Sequence, residues 1–202
     1  GKTLLLVHRC CHLFRFDPSV KRILFVCYNI ALVNYLKALL QEKGFPVDKA
    51  LKVCHFFELC AEITGRPVYF ENQGEEYYNS LVRESLALLL RGKGGAPTFD
   101  ALFIDEGQDF SSPMIQMLLQ LLKPDGDMVI ALDPVQDLYR RKVSWKSLGV
   151  KAAGRTRTLK TVYRMTRALA EFSCSFIGNH WTLKESVFFP PDRAVHGDPP
   201  LI

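Results

Sequence analysis

No two of the six cysteines form a C-x-x-C unit, and His8, His12, His180 and His196 stand at no metal-ligand spacing from them. A zinc module and a disulfide framework are therefore not expected. Several of the cysteines lie inside apolar runs, where a free thiol packs as a small hydrophobe, and the expected compartment is a reducing cytoplasm. A bilayer-spanning helix needs about 20 predominantly apolar residues, and no stretch here is that long without interrupting charge. The first residues also lack the basic-then-apolar order of a signal peptide, so neither a membrane partner nor secretion is expected. Internal repeats and low-complexity blocks are likewise absent, which removes solenoids.

What is present is a chain of 202 residues, 48% hydrophobic, long enough for one substantial domain and the beginning of another. A formal net charge of +5 is compatible with a polyanionic partner but too small to argue for one by itself. The sequence opens on Gly1-Lys2-Thr3 without an initiator Met, and reads as a piece of a longer protein.

Apolar residues recur with helical spacing from Leu4 to Phe14, Asp17-Pro18-Ser19 breaks the pattern, and Arg22 to Cys27 reads as a strand. A helix over Ala31–Gln41, a short strand over Leu51–Cys54 leading into Phe56–Glu62, and a long helix over Glu75–Arg91 follow. Phe99 to Ile104 is an apolar strand that ends in Asp105-Glu106. Pro113 opens a helix reaching Leu122, and Asp127 to Leu132 is a further buried strand ending in Asp133-Pro134. A last strand is expected over Thr158–Val162 with a helix over Thr166–Ile177, and the Pro-rich end from Phe189 reads as a poorly ordered remnant. Strands alternating with helices predict an α/β fold: a parallel sheet with helices on both faces, whose ligands bind beyond the carboxyl ends of the strands.

The acidic pair Asp105-Glu106 falls at such an end. Gly1-Lys2-Thr3, directly followed by a helix, matches the last three positions of the phosphate-binding loop G-x-x-x-x-G-K-[ST]. In that role helix-terminal N–H groups and the Lys2 ammonium hold phosphate oxygens, and the Thr3 hydroxyl ligates Mg²⁺. Asp105 then serves the metal through its water shell, and Glu106 is the general base for hydrolysis of the γ-phosphate of ATP. Three residues alone are a short motif, and a solvated acidic loop is the plain alternative for the pair.

The segment Ile104-Asp105-Glu106-Gly107-Gln108-Asp109-Phe110 resembles the D-E-x-Q-D-F string of UvrD/Rep-like superfamily 1 helicases, of the bacterial UvrD-like type. In the same order, Asp133-Pro134-Val135-Gln136-Asp137-Leu138-Tyr139 resembles the family's G-D-x-x-Q-S-I-Y motif, and Leu159-Lys160-Thr161-Val162-Tyr163-Arg164 resembles L-x-x-N-Y-R. The resemblance runs from Gly1 to about Phe176. It implies a RecA-like nucleotide-binding lobe over residues 1–157, with the second lobe and a Pro-rich remnant over 158–202, truncated at both ends. It also implies that Gln136 senses the γ-phosphate, Tyr163 stacks on adenine, and Arg164 reaches the γ-phosphate in the transition state. Tyr28 and Asn29, in a segment resembling motif Ia, and Phe56, in one resembling motif Ib, would face single-stranded DNA, as would Tyr139. Phe56, Phe57 and Leu59 read equally well as core. Arg141 stands where relatives place a base-stacking tryptophan, and with Arg140 and Lys142 it forms a basic triplet that reads as a strand contact or as a solvated charge run. The stretches Ser144–Gly149 and Gly154–Arg157 resemble bacterial members, some of which carry a nuclease-related domain, fused or associated.

The implied activity is ATP hydrolysis coupled to movement on single-stranded DNA, with ATP and Mg²⁺ in the site. Departures are the missing loop glycines before Gly1, Val162 for the usual asparagine, Cys27 for a common aromatic and His55 for a threonine. With part of the loop and the second lobe's later motifs absent, little turnover is expected of this stretch alone. Two rivals stand beside it: a degenerate lobe kept as a docking module, and a different P-loop enzyme such as a small kinase or GTPase.

Overall fold

The computed structural model describes residues 1–47, 50–93, 98–133, 145–150, 152–159, 166 and 168–169. The chain divides into two units, one made of Lys2–Asp133 with Asp137–Val150, the other of Gly1, Pro134–Gln136 and Lys151–Ile202.

In the first unit the order is α1 (Lys2–Phe16), β1 (Ile23–Cys27), α2 (Ile30–Glu42), β2 (Leu51–His55), α3 (Phe56–Thr64), α4 (Glu75–Leu90), β3 (Phe99–Ile104), a 3₁₀ turn (Gly107–Asp109), α5 (Ser112–Leu121) and β4 (Leu122–Ile130). The strands form one sheet in the order β2-β1-β3-β4, and every pairing is parallel. This is the expected α/β architecture, compatible with a Rossmann-type or RecA-like sheet.

Strand alternation explains the two cores. Successive side chains of a strand point to opposite faces. Ile23, Phe25, Cys27, Leu51, Val53, Ala101 and Phe103 therefore face α1 and α2, which contribute Leu6, Val7, Cys10, Leu13, Val33, Leu36 and Leu40. Leu24, Val26, Cys54, Leu102 and Ile104 face the other way, onto Phe56, Leu59 and Cys60 of α3, Leu81, Val82 and Leu89 of α4, and Met114, Ile115 and Leu118 of α5. Each fully buried side chain of this size contributes about 1.5–3 kcal/mol of transfer free energy, so a sheet covered on both sides supplies the driving force.

The connection from β1 to β2 runs through α2 on one face, while those from β2 to β3 and β3 to β4 step the opposite way through α3, α4 and α5 on the other. Crossovers of uniform hand require this change of face. The chain thus diverges between β1 and β3, and in sheets of this kind the ligand crevice lies beyond the carboxyl ends of such a pair.

Local signals set the boundaries. Asn29 caps α2, its Oδ1 accepting from the Leu32 N–H at 3.2 Å. Gly65, at φ 68°, closes α3 in the left-handed conformation that glycine adopts without steric cost. β4 corrects the expectation of a buried strand starting at Asp127. It begins at Leu122, which pairs with Phe99, and Lys123–Gly126 bulge outward before pairing resumes at Asp127 opposite Ala101. Its residues are exposed or half-buried, because among the described residues β4 pairs on one side only. The expected strand over Thr158–Val162 is not formed at Thr158 and Leu159. The rest of it lies outside the described residues, as does nearly all of the expected Thr166–Ile177 helix. No described helix is long and apolar enough to cross a membrane.

Candidate functional site

α1 buries Leu6, Val7, Cys10, Cys11 and Leu13 against the sheet and feeds β1 through a short turn, so its first residues lie at the carboxyl end of the sheet. Lys2 extends there and donates from Nζ to Asp133 Oδ2 at 2.9 Å, with both side chains half-buried at 28% and 22% exposure. Asp133 follows the end of β4, where Ala131 N–H still bonds to Ile104 O at 2.9 Å.

Asp105 follows β3 directly, and its N–H donates to Val26 O at 3.2 Å, extending the β1–β3 pairing into the crevice. The residue is fully buried. Its Oδ1 accepts from the Glu106 N–H at 3.1 Å, whereas Oδ2 is buried with no hydrogen-bond partner among the described residues. Burial pushes the Asp105 carboxyl above the usual carboxylate range. The Thr3 hydroxyl pulls it down, the Glu106 charge raises it further and the Lys2 ammonium lowers it, the net shift being upward. The Thr3 contribution is that of a side-chain hydrogen bond, although no well-formed bond reaches Oδ2 among the described residues. A buried carboxylate oxygen without a donor is costly unless a cation or water completes it.

Glu106 sits at φ 52°, ψ 49°, a left-handed conformation that costs a non-glycine residue about 1–3 kcal/mol. The turn that follows is held against β4. Gly107 N–H donates to Ala131 O at 2.8 Å, and a Cβ at Gly107 would lie 2.6 Å from Ile130 Cγ2, so a side chain there collides with the strand. Gln108 then bridges the site: its Nε2 donates to Glu106 Oε2 at 2.8 Å, and its Oε1 accepts from the Asp133 N–H at 2.8 Å.

Lys2, Thr3, Asp105 and Glu106 are therefore brought together, with Asp133 and Gln108 joining them. The last two had a visible signal, one being the carboxylate at a strand end and the other lying inside the D-E-x-Q string, but spacing alone gave neither a partner. Gly1 belongs to the other unit. Gln136, Tyr139, Arg141, Tyr163 and Arg164 lie outside the described residues.

Of the residues expected to face nucleic acid, Phe56 is fully buried, edge-to-face against Phe57 and Phe110, and presents no face to a base. The correction follows from its place at the first turn of α3, beneath β2, where the second core needs a large apolar group. Tyr28 is half-buried and packs edge-on against Phe57 and Phe110. Asn29 is exposed and acts as the cap of α2.

His55 caps α3 with its side chain. Its Nδ1 accepts from the Phe57 N–H at 3.3 Å, its Nε2 lies 2.8 Å from Tyr28 O, and Glu58 Oε2 accepts from the His55 N–H, completing a capping box. These partners fix the neutral tautomer with the proton on Nε2. Burial lowers the His55 pKa, only partly offset by the Tyr28 carbonyl and Glu58.

Cys10, Cys11, Cys27, Cys54 and Cys60 are free thiols, and burial pushes Cys10, Cys54 and Cys60 up to about 12. Among the described residues no group of three or more His, Cys, Asp or Glu side chains could hold a metal by itself. No family model matches the chain, and no curated protein matches it.

Proposed function

We propose that this chain is the ATP-binding and ATP-hydrolysing part of a superfamily 1 DNA helicase, coupling hydrolysis to movement along single-stranded DNA. The observation that supports it most is the convergence of Lys2, Thr3, Asp105 and Glu106 at the crevice beyond β1 and β3, from opposite parts of the sequence.

The residues fit the implied metal. Mg²⁺ prefers oxygen ligands and keeps several waters, and the Thr3 hydroxyl with the orphaned Asp105 Oδ2 is such a donor set. When bound, Mg²⁺ would neutralise charge on the phosphates. Lys2 binds phosphate oxygens at the N-terminus of α1, where no acidic side chain occupies the first turn to oppose an anion. Glu106 takes the proton of the attacking water as that oxygen bonds to the γ-phosphorus and the β–γ bridging oxygen departs with ADP. Gln136, Tyr163 and Arg164 enter as γ-phosphate sensor, adenine platform and transition-state cation on the resemblance alone. Asn29, Tyr139 and Arg141 enter in the same way as contacts to single-stranded DNA, and a nuclease-related domain as a further partner. A cytoplasmic location accords with the free, buried thiols.

The test is binding of a fluorescent ATP analogue to the full-length protein with and without Mg²⁺. Loss of affinity by at least about tenfold in Lys2→Ala, and loss of the Mg²⁺ dependence in Asp105→Ala, are expected. Undiminished, Mg²⁺-independent binding in both variants would contradict the reading.

A further inference from the structure

Gln108 bonds both to the turn after β3 and to the segment after β4. Its Nε2 donates to Glu106 Oε2 and its Oε1 accepts from the Asp133 N–H, each at 2.8 Å. The two bonds fix the orientation of the amide, because the flipped form would set its oxygen against the Glu106 carboxylate and its NH₂ against the Asp133 N–H. Asp133 in turn accepts from Lys2 Nζ at 2.9 Å. A continuous path of hydrogen bonds thus runs from Lys2 through Asp133 and Gln108 to Glu106.

The geometry points to Gln108 as a positioning residue that sets the Glu106 carboxylate from the end of β4, so that the group taking the proton and the group holding Lys2 are aligned by one side chain. This rests on the reading of Glu106 as general base.

Glu106 needs such a support. Its backbone is in the left-handed region and its side chain has three rotatable bonds, so it has no helix or strand to limit its direction. A donor on Oε2 holds the carboxylate plane and leaves proton acceptance to Oε1. Few side chains can do this. Glutamate would keep the acceptor for Asp133 N–H but set a second carboxylate against Glu106, and methionine would keep the length but neither bond. The anchor itself is firm, because Gly107 N–H on Ala131 O pins the same turn to the same segment, directly after β4. Two adjacent bonds from one turn to that segment set the Glu106 carboxylate relative to Asp133 more narrowly than either would alone.

The experiment uses the full-length protein with Gln108→Met, Gln108→Glu and Glu106→Gln. Both Gln108 variants are expected to lower kcat by about tenfold or more with the KM for ATP changed less than about twofold, and Gln108→Met added to Glu106→Gln is expected to cost nothing further. A merely structural role would lower thermal stability in additive fashion and leave that double variant worse than Glu106→Gln alone. Independently of turnover, the Gln108 side-chain NH₂ resonances should move in Glu106→Ala, and the Asp133 amide resonance should move in Gln108→Met far more than in Gln108→Glu. Should Gln108→Met fail to fold, Gln108→Glu decides, since it retains the bond to β4.

Wild-type kcat in the Gln108 variants while Glu106→Gln is inactive overturns the positioning role and leaves the base in place. Full turnover in Glu106→Gln overturns the base instead. NH₂ resonances of Gln108 that ignore Glu106 overturn the contact itself.

Discussion

Lys2 Nζ lies 2.9 Å from Asp133 Oδ2, across 131 positions of sequence. An ammonium at the start of a helix thereby meets a carboxylate just beyond β4, and on the proposed reading the remaining donors of Lys2 serve phosphate. Removing Lys2 should therefore cost the fold little and the ligand much. A partly buried ion pair of this exposure is worth about 0.5–1 kcal/mol, so Lys2→Ala should shift a urea melt by that amount at most while losing nucleotide affinity. A loss of stability several times larger would mean that Lys2 is mainly structural.

His55 gives a second prediction. Replacing the cap with alanine should cost about 1–2 kcal/mol, and His55→Thr should recover most of it because a hydroxyl can accept from the same N–H. Since burial holds the folded pKa below the ordinary histidine value, this contribution is fully present above the unfolded value of about 6.5 and is lost as pH falls below it towards the lower folded value. Urea melts between pH 5 and 8 should show the decline in the wild type and its absence in His55→Thr.

At the opposite end of the sheet, Asp100 Oδ2 accepts from the Lys21 and Arg22 N–H groups at 2.8 Å each, and Oδ1 accepts from Lys123 Nζ at 2.6 Å. Burial raises the Asp100 pKa, but the Lys123 and backbone bonds outweigh it and the net shift is downward. The resulting stability is present above the ordinary carboxylate range and disappears as pH falls through the lower folded value. Asp100→Ala should cost about 1.5–3 kcal/mol at neutral pH, with the difference from wild type shrinking on acidification. A gap that stays constant from neutral to strongly acid pH would contradict the bonding.

Gly107 must stay small. A β-branched side chain would drive into Ile130 Cγ2 and displace the Glu106 turn from β4. Overpacking of this kind costs about 1–3 kcal/mol, and Gly107→Val should show it in a thermal melt, with Ile130→Ala in the same chain restoring part of the loss. No change in melting would mean that the turn does not rest on β4.

The sheet was readable because β1 and β3 are short, nearly uninterrupted apolar runs bounded by turn residues, and burial on both faces is what such runs imply. β4 was less so: Pro124 and Gly126 fall in the segment that bulges out, so the pattern shows only the paired stretch from Asp127 onward. Within the site, Asp105 and Glu106 stand out because they directly follow a buried apolar strand, at the sheet end where ligands of parallel sheets bind. Phe56 could not be assigned from its residue type, since stacking on a base and filling a core ask for the same aromatic, and only the packing of α3 beneath β2 decides between them. The roles of Gln108 and Asp133 depend on contacts 25 and 131 residues apart, which no local spacing encodes.

The most direct measurement is ATP hydrolysis by the full-length protein with and without single-stranded DNA, beside Glu106→Gln. The account predicts turnover strongly stimulated by the strand and lowered by about 10²-fold or more in the variant. Absence of turnover under every condition, with the protein still folded, would contradict it and leave a docking lobe in its place.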